Sequence, residues 1–530
     1  MSTDAAKQKM YPLPDMGDIL FVLVLYIPLF ARPNFVFGDG STGWHLETGE
    51  YILNNHVIPH TDIMSYTYPG KAWVAYEWLS DVFMAMVVRA GGLNLLAVLV
   101  CSAIAFLFLL LYDRCRKEGA HFLVSLTLLL PAIFISAIHW LARPHLFTFY
   151  GVYFFVTRLE DYYRGTISSA RMLLTLALYM VLWVNTHPAF IIGYVLIVIY
   201  LGCAIVEALY HTAEERADYL KKSLNLIYAL LATLGASMIN PYGPQLYVYI
   251  AEYLKGSKVL AATDEFLSPV FHGNLQPVCL EMLFAWLLIG LAISKNKLSM
   301  PRLVCCVLFC HLTLSAVRNM PLFAIVVVPA IAHLWAAIDL GSAEPASWWK
   351  LAVKGWNRVS NMIDDVEFQC KMHLAPLIIV VVLSIAAINK GSLFGTQLVN
   401  SGWDPKDKPT KTLDYLVAHE KTNELSPTRG FNFDNWGGYI KYQIKTPVFM
   451  DDRADFYGEK HYTKYSIVSQ MMPGWKDVLN EFNVQWILFP KNSRVVATLK
   501  DDPEWSLACE DDAAGLLVRK EKTDKIKQNP

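Results

Sequence analysis

Long apolar runs, each bounded by a short polar stretch, fill the first three quarters of the chain. A helix rising about 1.5 Å per residue needs roughly 20 apolar residues to cross a bilayer core. Runs approaching that length predict helices over 17–37, 82–112, 121–138, 145–158, 171–186, 188–209, 223–239, 278–294, 303–318, 321–340 and 373–390. The pattern predicts a polytopic α-helical membrane protein with about 11 transmembrane helices. The run at 145–158 is short for a straight crossing, so it is either re-entrant or extended by its polar flanks. Ile19–Ala31 is followed by Arg32-Pro33-Asn34 and not by a small-x-small cleavage site, so an uncleaved first helix is expected.

After Lys390 the pattern becomes that of a soluble protein. Alternation over Gly438–Ile444 and short apolar runs at 448–450, 484–489 and 515–518 predict strands, and 411–419 and 465–481 predict helices. The expected organisation is a transmembrane unit over 1–390, with a first outside loop at about 38–80, and a small extracytoplasmic α/β domain over 391–530. No period of 20 to 50 residues repeats, which argues against a solenoid.

Composition agrees with the pattern. Hydrophobic residues make up 55% and charged residues 17%, with a mean hydropathy of +0.34, where soluble domains carry about 25% charged residues. The balance of 45 Lys+Arg against 46 Asp+Glu supplies no overall basic field, which disfavours nucleic acid as a partner. Nine cysteines form no CxxC pair, and Cys509 is the single one in the tail, so neither a zinc site nor a disulfide framework is signalled. With the N-terminus inside, sixteen basic residues fall in the inside loops at 114–117, 158–171, 216–222, 295–302 and 350–371. Five fall outside: Lys71, Arg143, Lys255, Lys258 and Arg318. By the positive-inside rule the N-terminus is expected in the cytoplasm and the tail outside an inner membrane.

Acids and histidines gather on the outside. The densest stretch runs Gly38-Asp39-Gly40-Ser41-Thr42-Gly43-Trp44-His45, followed by His60-Thr61-Asp62 and Tyr76-Glu77-Trp78. Glycines on both sides of Asp39 allow tight backbone geometry, and a carboxylate at an apolar helix end suits a general base. Asp39 is the leading catalytic candidate; its alternative role is to cap the next helix. His45 either holds a phosphate or hydrogen-bonds within the loop. Other outside corners read Arg143-Pro144-His145, Asn185-Thr186-His187, Asn240-Pro241-Tyr242-Gly243, Asp264-Glu265 and Arg318-Asn319. Arg143 and Arg318 either snorkel to headgroups or bind a lipid-linked phosphate bidentately. In the tail, Asp451-Asp452-Arg453 reads first as a turn tied by local ion pairs, and Trp436 stacks on a sugar or acceptor or closes the domain core.

These residues carry a resemblance that extends over nearly the whole chain. Asp39 to Glu50, Ile58 to Tyr68, Glu77-Trp78-Leu79, Arg143 to Phe147, Trp183 to His187, Asn240-Pro241-Tyr242-Gly243, Arg318 to Leu322, Trp436-Gly437-Gly438-Tyr439 and Met450 to Asp455 are similar to patterns in the GT-C superfamily of polyprenyl-phosphate-sugar-dependent membrane glycosyltransferases. The likeness is to the protein O-mannosyltransferase and aminoarabinose transferase type and its bacterial relatives. The resemblance implies a GT-C fold and an inverting transfer. An acceptor hydroxyl, deprotonated by Asp39, attacks the anomeric carbon of a sugar on a lipid phosphate. His45, Glu77, Arg143, His145, His187 and Arg318 would bind donor and phosphate, and Asp62 and Trp436 the acceptor. Implied partners are a polyprenyl-phosphate-linked sugar, an envelope glycan, lipid or protein acceptor, and membrane lipid. Many such enzymes place a second acid after the loop aspartate; here Gly40-Ser41-Thr42-Gly43 follows, so no Asp-x-Asp motif signals a divalent metal, and no cofactor is assigned. The alternative function is a transporter or flippase of a lipid-linked or small polar substrate, which would place ionisable residues near the midplane and show inverted repeats. A third reading is a non-catalytic scaffold.

Overall fold

The computed structural model describes residues 13–254, 264–273, 275–338, 347–367, 373–420 and 427–520. Lys255, Lys258 and Lys371 of the charge comparison, and positions 339 and 340 of one apolar run, lie outside them. Every predicted apolar run contains helix among the described residues. Five helices among the described residues are long and apolar enough to cross a membrane: Trp78–Lys117, Phe122–His139, Pro188–Tyr210, Leu275–Ile293 and Val317–Trp335. Met16–Ala31, Ser169–Val184, Met300–Ser315 and Leu374–Ile388 are shorter apolar helices. His145–Tyr163 is one 19-residue helix, so the short run at 145 is extended by its polar flank.

Two faces explain why these segments are membrane helices. Met172, Leu176 and Met180 on one face of Ser169–Val184 are fully buried, while Leu174 and Leu178 on the other are more than half exposed. Leu288 and Val307 are exposed in the same way on their own helices. Apolar surface of this kind is stable only against lipid.

The Trp78–Lys117 helix is not continuous. Gly92 has φ +66°, a conformation that side chains disfavour, and with Gly91 it breaks the helix. Two residues on, the Asn94 side chain accepts the Ser401 N–H at 2.8 Å, which ties the start of the tail to this break. At its far end Glu118 collects Arg114 (2.9 Å), Arg164 (2.8 Å), Arg302 (3.1 Å) and His333 (3.2 Å), stapling four helices. Burial works against its charge, but these cations outweigh it and hold the carboxyl well below the usual range.

The tail holds a four-stranded sheet in the order β3-β4-β6-β5, with β3 (Gly430–Asn432), β4 (Trp486–Pro490), β5 (Trp505–Glu510) and β6 (Ala514–Arg519). β3 and β4 are parallel, and the intervening helices Asp434–Ile444, Ala454–Ser469 and Trp475–Glu481 make the crossover. β5 and β6 form an antiparallel hairpin. β1 (Ser392–Leu393) and β2 (Thr396–Gln397) make a separate small hairpin after the last apolar helix. Three expectations change. Gly438–Ile444 is helical and not a strand, because Gly438 serves a close helix contact with Trp44. The 448–450 run makes an isolated bridge from Val448 to Ser65 and no regular strand. The 465–481 helix is divided around Met471–Gly474, where both residues have positive φ.

The loop after the first helix and the tail share one core. Trp44, Met64 and Trp73 from the loop pack with Phe431, Phe449, Phe456 and Ile487 from the tail. A buried ion network crosses the same boundary: the Arg453 guanidinium grips Asp451 through two N–H groups (2.8 and 2.7 Å) and Asp62 through a third contact at 2.8 Å. The guanidinium also lies 4.5 Å from the Trp73 ring centroid.

Candidate active site

The Ser41–Asn55 helix begins where the chain leaves the first membrane helix, and Asp39 stands at its start. One carboxylate oxygen, Oδ1, accepts the Ser41 N–H at 2.7 Å and the Ser41 hydroxyl. These bonds close a local turn at the helix start, where the N-cap position itself is Gly40. The other oxygen, Oδ2, lies 3.2 Å from Arg143 Nη1, and the same nitrogen donates to Glu265 at 2.7 Å. Burial opposes the Arg143 charge, but Asp39 and Glu265 more than offset it and hold the guanidinium protonated. The buried Lys408 ammonium donates to the carbonyls of Gly38 and Asp39 at 3.3 and 3.4 Å.

The neighbouring glycines have a different purpose from the one their spacing predicts. Gly38 and Gly40 have φ of −64° and −72°, which any residue adopts. What excludes a side chain is the tail: a Cβ on Gly40 would lie 2.1 Å from Asn435 Oδ1, and one on Gly43 would lie 2.4 Å from the Gly438 carbonyl carbon. In return, a Cβ on Gly438 would meet the Trp44 nitrogen at 2.7 Å. Two helices, one from the loop and one from the tail, touch backbone to backbone at these glycines.

That contact brings Asp452 to Asp39. Burial is the main cause that pushes the Asp452 carboxyl up to about 8; the charges of Asp39 and Asp451 add to it, and Arg143 and Ser41 pull the other way. Its Oδ1 is buried without a hydrogen-bond partner among the described residues. The neutral form of Asp452 is thereby favoured beside Asp39. The tail's acidic triplet is thus divided: Asp451 and Arg453 form the local ion pair its sequence predicts, while Asp452 faces the loop.

Behind this layer is a second polar cluster. Glu77, immediately before the long helix, has its oxygens 4.0 Å from His45 Nε2 and 3.6 Å from His187 Nε2. Burial, partly countered by Arg143 and Arg318, raises the Glu77 carboxyl to about 8. Burial first, and then the arginines' charge, keeps His45 and His187 neutral. His45 Nδ1 is 2.7 Å from Asp81, and His187 Nδ1 is 2.8 Å from Thr148 Oγ1, which in turn accepts from the Trp183 indole. The Arg318 guanidinium lies over the Phe266 ring at 4.3 Å and adds positive charge at Glu77, His187 and Glu265. His145 sits to one side, with Nε2 donating to the His139 carbonyl at 2.7 Å.

Asp39 forms part of the wall of a cavity of about 530 Å³, lined also by Arg32, Asn34, Phe35, Leu141, Asp404 and Asn435. The fold thus gathers Asp39, Arg143, His45, Glu77, His187 and the charge of Arg318. Of these only Asp39 is in the cavity lining; the others stand behind it, and Asp62 and Trp436 lie apart from both. Asp62 is held in the Arg453 network and by the Ser65 N–H and hydroxyl at 2.9 and 2.6 Å. Trp436 is buried in the tail core, its indole N–H donating to the Asp407 carbonyl at 2.8 Å. Lys408 carries no signal in the sequence, because Trp403-Asp404-Pro405-Lys406-Asp407-Lys408 reads as an ordinary charged turn.

The residues do not fit a divalent ion at Asp39. Arg143 Nη1 already stands between the carboxylates of Asp39 and Glu265. Among the described residues the group whose ligand atoms converge as a metal site requires is Asp15, Asp18 and His373, at the opposite end of the bundle.

A helical membrane bundle, an acidic loop after its first helix and a mixed α/β tail packed on that loop make up the fold. No family model matches the chain, and no curated protein matches it by sequence. Solved structures do align with it. The apo oligosaccharyltransferase of Archaeoglobus fulgidus aligns with a TM-score of 0.55 at 14% identity, over 89% of this chain and 69% of that one. The A. fulgidus oligosaccharyltransferase AglB, in complex with an inhibitory peptide and a dolichol-phosphate, gives a TM-score of 0.54 at 14% identity with the same coverage. ArnT from Cupriavidus metallidurans, bound to undecaprenyl phosphate, gives 0.49 at 12% identity over 95% of this chain and 97% of that one. At these identities the likeness is one of fold.

Proposed function

We propose that this protein is a membrane glycosyltransferase that moves a hexosyl or pentosyl group from a polyprenyl-phosphate donor to an envelope acceptor, a glycan, lipid or protein, with inversion at the anomeric carbon. The observation that carries this function is the position of Asp39, on the wall of the 530 Å³ cavity with one oxygen 3.2 Å from Arg143. Asp39 takes the proton of the acceptor hydroxyl, and that oxygen attacks the anomeric carbon. The bond from that carbon to the donor phosphate breaks, and the phosphate leaves with the electron pair. Arg143 and Arg318 stabilise the departing phosphate, because fixed cations in a water-poor site act most strongly where charge develops. Neutral Glu77, flanked by His45 and His187, donates a hydrogen bond to donor oxygens, with His145 orienting that wall. Burial raises the Asp452 carboxyl and so favours its neutral form beside Asp39. The shared fold of AglB, which binds a dolichol-phosphate, supports a lipid phosphate as ligand.

In this proposal the chain crosses the inner membrane eleven times with its N-terminus in the cytoplasm, and residues 391–530 form the outer, extracytoplasmic domain. The first loop and the tail together roof the site. The test is Asp39→Asn, assayed for transfer of labelled sugar from the lipid pool of isolated membranes. The variant is expected to melt like the wild type and to lose transfer by about 100-fold or more, as removal of a general base does. Transfer at the wild-type rate would remove Asp39 from the role of base.

A further inference from the structure

The Ser347–Glu367 helix lies at the end of the bundle opposite Asp39. Its last two turns anchor it there. Asp364 pairs with Arg116 at 2.7 Å and with His121 at 2.7 Å, and Glu367 accepts from the Tyr112 hydroxyl at 2.5 Å and the Met16 N–H at 3.2 Å. Arg116 and Tyr112 belong to the last turns of the long helix that starts beside Glu77, so the two ends are separated by a full membrane thickness.

Viewed down its axis, this helix has three sides. Ser360, Ile363, Asp364 and Glu367 face the bundle: Ser360 and Glu367 are buried, and Ile363 packs on the core. Lys354, Arg358, Asn361 and Asp365 follow one another at spacings of three and four and form an exposed polar side. Between them, Trp356, Val359, Met362 and Val366 form an apolar side that is not covered, with Met362 61% and Val366 62% exposed. The next helix presents exposed Leu377 and Ile378 in its first turn, so lipid-facing surface begins at the same level. His373, just before that helix, bonds to Asp18 at 2.8 Å and faces Asp113 at 3.6 Å, which fixes the level against two other helix ends.

We infer that the Ser347–Glu367 helix is a membrane-surface element: its apolar side sinks into the acyl boundary of the leaflet opposite Asp39, and Lys354 and Arg358 bind anionic phospholipid headgroups. An exposed apolar stripe next to a polar side bearing basic residues is the arrangement by which helices lie in an interface. Lys and Arg stems run along apolar surface while their heads reach phosphate. The occupant is lipid and not a protein partner because the apolar side is continuous in level with the lipid-facing start of the following helix.

The full-length protein in nanodiscs of equimolar phosphatidylcholine and phosphatidylglycerol provides the test, with a photoreactive benzoylphenylalanine in place of Met362, Val366 or, on the polar side, Asp365. Mass spectrometry is expected to find phospholipid adducts at positions 362 and 366, few at 365, and phosphatidylglycerol above its molar share. Each basic residue near an anionic surface contributes about a five-fold preference, so the double variant Lys354→Gln with Arg358→Gln brings the adducts toward the bulk ratio. No lipid adduct at 362 and 366 would overturn the inference and leave that side for a protein. Adducts in the bulk ratio in the unmutated protein would overturn the headgroup contact.

Discussion

Replacing Gly43 by alanine tests whether the roof of the site depends on the glycine contact. The added Cβ would stand 2.4 Å from the Gly438 carbonyl carbon and 2.5 Å from the Gly438 oxygen and the Tyr439 nitrogen. All three are backbone atoms inside a helix, so no side chain can rotate away. Ordinary contact starts near 3.4 Å, and the two helices must therefore separate by about 1 Å. Overpacking of this size costs about 1–3 kcal/mol. The larger effect is on chemistry, since Asp39 and Arg143 lie on the loop side and Asp452 on the tail side. A displacement of about 1 Å between catalytic groups lowers rates by about 100-fold. The control is Gly202→Ala, where a Cβ meets nothing within 4 Å; in the middle of a helix it gains up to about 1 kcal/mol of propensity. Thermal unfolding of the purified proteins and sugar transfer in membranes are measured together. Gly43→Ala is expected to melt lower and transfer poorly, and Gly202→Ala to do neither. A Gly43→Ala protein that melts and transfers like the wild type would refute the claim that backbone contact sets the site.

Three further outcomes follow from the same geometry. Asp452→Asn preserves the neutral form and is expected to transfer within about ten-fold of wild type at pH 7, in contrast to Asp39→Asn; the reverse ranking in the same assay would exchange their roles. Glu77 has a folded value of about 8 against 4.5 unfolded, so its contribution is full below pH 4.5 and declines as pH rises toward 8, by about 3 kcal/mol at pH 7. Glu77→Gln should therefore gain melting temperature over wild type steadily from pH 5 to 8, and a pH-independent difference would contradict the buried neutral acid. Arg453→Met leaves Asp62 and Asp451 buried without their cation, for a loss of about 3–5 kcal/mol; limited proteolysis should release the tail from the bundle, and unchanged resistance would show that the network is dispensable.

Part of the site was legible because charge is scarce in this chain. An acid placed directly after an apolar helix has few roles, so Asp39 stands out, as do Arg143 and Glu77 at other helix ends. Their roles were less legible. Glycines at 38 and 40 look like backbone freedom, yet their φ values are ordinary, and at 40, as at 43, the reason is a helix from the other end of the chain. The same contact hides Gly438–Ile444: alternation predicts a strand, but Gly438 must lie flat against Trp44, and a helix provides that face. Asp451-Asp452-Arg453 reads as one turn because neighbours in sequence pair most simply with one another. Two of the three do, and the middle one points away.

What the sequence determined by itself was the solvent. Hydrophobic length and the scarcity of charge require helices in lipid, because backbone groups in a bilayer must be satisfied within their own segment. The apolar runs and the polar corners between them follow from that local demand. The tertiary structure decided which corners meet. Asp39 with Asp452, Arg143 with Glu265, and Asp62 with Arg453 are contacts between distant segments, and no local propensity encodes them. They depend on close packing between the first loop and the tail, where the absence of two Cβ atoms sets the distance, and burial then determines which carboxyl keeps its proton.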